Sequence, residues 1–186
     1  MKIKHTLFTA FFIAVSATIF SCGKIKETLQ RDIVVSPAEV DFDIPIVTTT
    51  NSRSSLGEIP VTMDFDSLIR SQTKDLGIEN ARNFKLTSVK ITLDSLRDDN
   101  NFGNFENIDV RIVSSSQPDT LVAKLEANLN TKAISVNIPI VPANPELKGF
   151  LSNSSFKFVL TGKARTPTTM VLKAQATLTY SLTVGI

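Results

Sequence analysis

The run from Met170 to Val184 constrains this chain most. Met170, Leu172, Ala174, Ala176, Leu178, Tyr180, Leu182 and Val184 alternate with Val171, Lys173, Gln175, Thr177, Thr179, Ser181 and Thr183. Successive side chains of a strand point to opposite faces, so a period-two run of this length fits a half-buried β-strand and cannot lay one apolar stripe on a helix.

The same period recurs upstream. Val40, Phe42, Ile44 and Ile46 form one alternating set, and Ile59, Val61, Met63 and Phe65 form another, with a polar loop over 48–55 between them. Pro45 and Pro60 place these two strands at edges or strand ends, because proline cannot donate to a ladder. A strand over 84–96 changes phase, from Phe84 and Leu86 to Val89, Ile91 and Leu93. Such a one-residue slip marks a bulge or a strand that changes its buried face. Further strands are predicted over 108–113, 121–125, 133–141 (Ile134, Val136, Ile138 and Ile140 inward) and 156–162 (Phe156, Phe158 and Leu160). One short helix is expected, capped by Asp66 or Ser67, carrying Leu68, Ile69 and Leu76 and stopped by Gly77. Many strands with short turns and a single helix point to a mostly β protein, an antiparallel β-sandwich. A closed barrel is the alternative, since the long last strand has room to curl and pair twice.

The N-terminus follows a different logic. Lys2 and Lys4 precede an apolar stretch from Leu7 to Phe20, broken only by Thr9, Ser16 and Thr18. It is shorter than the roughly 20 residues that span a bilayer and sits where a secretory signal does. Ile19-Phe20-Ser21-Cys22 resembles the lipobox of bacterial lipoproteins, with Phe20 departing from the usual small or aliphatic residue. The resemblance implies a signal peptide over 1–21, cleavage after Ser21 and a diacylglyceryl thioether on Cys22. The alternatives are an ordinary signal with a free cysteine, or an uncleaved anchor. Residues 22–32, with Lys24, Lys26, Glu27, Arg31 and Asp32, read as the lipidated cysteine and its tether, and 33–186 as one sandwich domain. Gly23 lacks the aspartate that retains some lipoproteins at the inner membrane, so by the same resemblance the outer membrane is favoured, with the leaflet undecided.

Removing the signal changes what the composition means. Lys2 and Lys4 leave with it, taking the twenty basic residues to eighteen, equal to the eighteen acidic ones. A nearly neutral chain gives nucleic acid no electrostatic footing. His5 is the sole histidine and Cys22 the sole cysteine. The remaining domain therefore has no imidazole and no free thiol for Ser-His-Asp or Cys-His catalysis, or for nitrogen- or sulfur-ligated metals. No cofactor is implied.

Three groups of candidate site residues remain. Asp98, Asp99 and Asn101 crowd a loop with Asn100, Gly103, Asn104 and Glu106, an oxygen-rich set of the kind calcium uses. Phe102 breaks the EF-hand pattern, and an Asp/Asn/Gly turn has the same composition without metal. Ser67, Ser95 and Thr120 lie in Asp-Ser-Leu, Asp-Ser-Leu and Asp-Thr-Leu, which resemble the Asp-Ser/Thr-aliphatic sequon of a bacterial O-glycosylation system; Asp and Ser also favour caps and turns. Ile138, Phe156, Phe158 and Leu178 would line an apolar pocket if the sandwich were hollow. The segment from Ile138 through the strand containing Gly162 is also similar to the LEA/WHy β-sandwiches over about a quarter of the chain, and it carries no site residue across.

The expectation is a lipid-anchored, non-catalytic envelope sandwich with a binding or structural role and a membrane, envelope protein or apolar ligand as partner. The alternative is a carrier with an apolar ligand between its sheets. Third is a hydrolase using two carboxylates, which lacks tryptophan and has one tyrosine for a sugar platform. Phe102 and Phe105 would either fill that role or plug the sandwich end.

Overall fold

The computed structural model describes residues 30–35, 39–151 and 155–186. Among the described residues, nine strands form two antiparallel sheets and no closed barrel is present. They are β1 (Gln30–Val35), β2 (Val40–Ile44), β3 (Arg53–Val61), β4 (Ala81–Leu93), β5 (Phe105–Val113), β6 (Thr120–Leu125), β7 (Ser135–Asn137), β8 (Phe156–Ala164) and β9 (Leu172–Gly185). One sheet runs β1-β9-β4-β7, with β2 also on β9; the other runs β3-β8-β5-β6. Helices α1 (Phe65–Gln72) and α2 (Lys148–Leu151) lie in connections at one end of the sandwich.

The long alternation does what its period requires. In β9 Leu172, Ala174, Ala176, Leu178, Tyr180, Leu182 and Val184 are all buried, and the residues between them are not, up to Thr183. β9 pairs twice along one edge, with β1 from Gln30↔Gly185 to Val35↔Tyr180 and with β2 from Val40↔Ala176 to Ile44↔Leu172, and with β4 along the other. Double pairing along a single edge lengthens the sheet without closing it. Because the strand pairs from Gln30, three residues assigned to the tether belong to the sheet. Cys22 and the signal lie outside the described residues.

The bulge in β4 stands where the phase slips. The register shifts between Leu86 and Ser88, and burial passes from Leu86 to Val89. A second bulge in β3, between Ser55 and Gly57, was masked in the pattern. It lets Leu56 and then Ile59 and Val61 face inward, with Gly57 at φ +115°. β3 therefore begins at Arg53 inside the expected loop, and Phe65 opens α1 instead of closing a strand. Pro60 does sit on an edge, since β3 ends its sheet.

Two further elements differ from expectation. α1 is capped by Asp64, which accepts from the Ser67 backbone N–H at 2.9 Å and from the Ser67 hydroxyl at 2.7 Å; these two bonds hold its carboxyl below the usual value. The strand over 133–141 shrinks to three residues because the segment changes sheets. It pairs with β4 through Ile91↔Val136, then reaches β6 through an Ala123↔Ile140 bridge. Only Ile138 of its four apolar residues is fully buried, and Ile134 is exposed.

Candidate functional site

The sandwich has two unlike ends. At the helix end, β1 begins against the last residues of β9, and α1 and α2 cap the core. Four connections meet at the other end, 45–52, 94–104, 126–134 and 165–171, because β2, β4, β6 and β8 finish there and β3, β5, β7 and β9 start there. Of the exposed large apolar side chains among the described residues, Ile46, Leu96, Leu129, Ile134, Met170 and Val171 lie in these loops or immediately beside them, and only Ile186 lies at the helix end.

Buried amides hold the four loops together. Asn100, Asn101, Asn104 and Thr168 are four of the five buried polar residues among the described ones, and all belong to this end. The Asn104 amide group donates to the Asp99 carbonyl (3.0 Å), the Thr166 hydroxyl (3.0 Å) and the Pro167 carbonyl (3.1 Å), while its oxygen accepts from the Asn101 N–H at 2.9 Å. Asn100 exchanges two 2.8 Å bonds with Thr169, and Val47 donates to the Thr168 hydroxyl at 2.8 Å. Arg165 donates to the carbonyls of Gly103 (2.9 Å) and Asn128 (2.8 Å). Each buried amide left unpaired would cost about 1–3 kcal/mol, so satisfying them together fixes the loops relative to one another.

Between these loops lies a cleft of about 380 Å³, with Asp98 and Asp99 on one side, Asn130, Thr131 and Lys132 on another, Thr166, Pro167 and Thr169 on a third, and Asn101, Gly103 and Asn104 also lining it. The calcium candidates Asp98, Asp99 and Asn101 all line this cleft, each with a partner of its own within the protein. Lys132 Nζ stands 2.5 Å from Asp98 Oδ1 and holds that carboxyl below its usual value. Asn101 donates to the Arg97 and Asp98 carbonyls and accepts from Gly103 N–H. An ammonium occupies the charge a cation would seek. Among the described residues, no three His, Cys, Asp or Glu side chains stand close enough together to hold a metal. Phe102 and Phe105 are buried with rings 6.3 Å apart, plugging this end.

The other candidates are dispersed. Ser95 is exposed in the 94–104 loop, with Asp94 and Leu96 exposed beside it. Ser67 donates to Asp64 within the α1 cap, and Thr120 donates to the Pro118 carbonyl at the start of β6. Ile138, Phe156, Phe158 and Leu178 are all buried. The Phe158 ring packs against Phe156 at 5.8 Å and Tyr180 at 6.4 Å, and Tyr180 stacks on Phe84 at 5.1 Å. Phe156 also lines an apolar groove of about 510 Å³ at the helix end, with Val61 and Val113. The carboxyls of Asp64, Asp66, Asp98 and Glu106 shift downward through bonds to Ser67, Arg70, Lys132 and Lys163, opposite to the direction a proton-donating acid needs. The sequence reading missed Asn130, Thr131, Lys132 and Thr169, which join the cleft only through contacts made far along the chain.

No protein-family model and no curated protein matches this sequence. Among solved structures, a chain titled Desmodium yellow mottle tymovirus is similar at 11% identity over 84% of this chain and 90% of that one, with a TM-score of 0.23. A likeness at that level carries no argument.

Proposed function

We propose that this chain is a lipid-anchored, non-catalytic β-sandwich of the cell envelope, held at the outer membrane through Cys22, with its loop end as the face offered to partners. The observation that carries this reading is the polarity of the sandwich. The described chain enters at Gln30, paired with Gly185 at the helix end, whereas the exposed apolar side chains gather at the opposite end. The fourteen residues of β9 span about 46 Å at roughly 3.3 Å per residue. The eight residues 22–29 reach at most about 29 Å when extended. A domain tethered at Cys22 therefore cannot invert to press its loop end on the membrane that anchors it.

Intact mass spectrometry of the protein from its native membrane tests the reading. A chain that starts at Cys22 and carries acyl chains is expected, and Cys22→Ala should release the domain from the membrane. A retained signal or an unmodified thiol would refute the anchor. Glycan increments, if present, are expected at Ser95 first, because the Ser67 and Thr120 hydroxyls already bond within the fold.

A further inference from the structure

We infer that the cleft between loops 94–104, 126–134 and 165–171 binds a neutral sugar of one or two rings. The inference rests on the loop end being the working face and names what that face takes. The cleft's volume, about 380 Å³, falls in the range of small-ligand sites, roughly 300–1,000 Å³.

Its chemistry selects among ligands. The Asp98–Lys132 pair, joining two of its walls, sets both signs of charge at the cleft, so a cation meets the ammonium and an anion meets the carboxylates of Asp98 and Asp99. A hydroxyl both donates and accepts and is opposed by neither. Asn130 and Thr131 line this space, and their side chains make no hydrogen bond with the rest of the described protein. They are available without breaking any bond of the fold.

The cleft is also held ready. Gly103 lies so close to the opposite loop that an added Cβ would stand 2.7 Å from the Thr131 carbonyl. Arg165 and Asn104 tie the surrounding backbone through charged and amide hydrogen bonds. Little ordering is left for the ligand to impose, which favours affinity from few contacts. Without an aromatic platform, the affinity expected is in the millimolar range.

The test is a titration of the full chain in detergent with cellobiose and with N,N′-diacetylchitobiose, followed by amide chemical shifts. Saturable shifts confined to 98–104, 130–132 and 166–169 are expected with at least one sugar, and preference between the two shows whether the ligand needs acetamido groups. Asn130→Ala should weaken binding about tenfold, equivalent to losing about 1.4 kcal/mol, while Cys22→Ala should leave it unchanged. Absence of saturable shifts with both sugars, or equal binding by Asn130→Ala, overturns the assignment. If Cys22 is then still found acylated, the envelope reading stands and the sugar site alone falls.

Discussion

Replacing Tyr180 by phenylalanine should stabilise this protein. Tyr180 is fully buried in the middle of β9, its ring 5.1 Å from Phe84, 6.1 Å from Phe65 and 6.4 Å from Phe158. Its hydroxyl has no hydrogen-bond partner, and burial pushes the phenol's pKa upward. Taking a hydroxyl out of water without a partner costs about 1–3 kcal/mol. Phenylalanine keeps the ring and removes only the stranded oxygen, so the gain should be about 1 kcal/mol after a small loss of packing where the oxygen stood. In a domain of this size that raises Tm by about 2–4 °C. Urea unfolding followed by circular dichroism is the assay, since the variant loses the only tyrosine of a chain without tryptophan; the slope m should not change while the midpoint rises. A destabilisation of about 1 kcal/mol or more would refute the reasoning. It would mean that the hydroxyl holds a buried water or a ligand, and it would favour the carrier reading.

Asn104→Ala removes the donor to three oxygens and the acceptor for Asn101, and should lower stability by about 2–3 kcal/mol in thermal unfolding; a change under about 0.5 kcal/mol would mean that the loops do not depend on it. Gly57→Ala puts a side chain at φ +115° with its Cβ 2.6 Å from the Asp43 carbonyl, and should cost about 2 kcal/mol or more by the same measurement. Asp64 and Asp98 have folded pKa values below their unfolded ones, so the stability they contribute is present above about pH 4 and lost as pH falls through the folded values. Thermal scans should therefore show a decline below about pH 4, and Lys132→Met should remove the share due to Asp98 while leaving that of Asp64.

Legibility in the sequence tracked how local each signal was. The β9 face and the β4 bulge could be read because both the cause and its pattern lie within a few residues of one strand. The α1 cap was displaced by two or three residues, because Asp64, Asp66 and Ser67 all have capping side chains and only geometry chooses among them. β3 was misplaced because the bulge at Leu56–Gly57 resets its phase inside a stretch rich in Ser and Thr. Over 133–141 the alternation is real, but two sheets share it, which no single-strand reading can show. Asn101 and Asn104 carry the residue types of a ligand site, yet their groups are taken by backbone atoms and the Thr166 hydroxyl. Asn130 and Thr131, in an unremarkable polar run, are the ones left open.

Where polar groups are buried also bears on how this fold divides its labour. The helix end closes over Phe65, Phe84, Phe150 and Phe156, whose rings pair at 5.1–6.3 Å and need only apolar neighbours. Packing of that kind tolerates changes of shape at modest cost. The loop end is held by amides and a guanidinium whose partners are set atom by atom, and a half-satisfied network is worse than none. If fixing the loops were the only requirement, apolar plugs such as Phe102 and Phe105 would suffice there as well. A buried amide network beneath exposed, unbonded polar side chains is instead the arrangement that keeps a surface polar and rigid together, as a binding face needs.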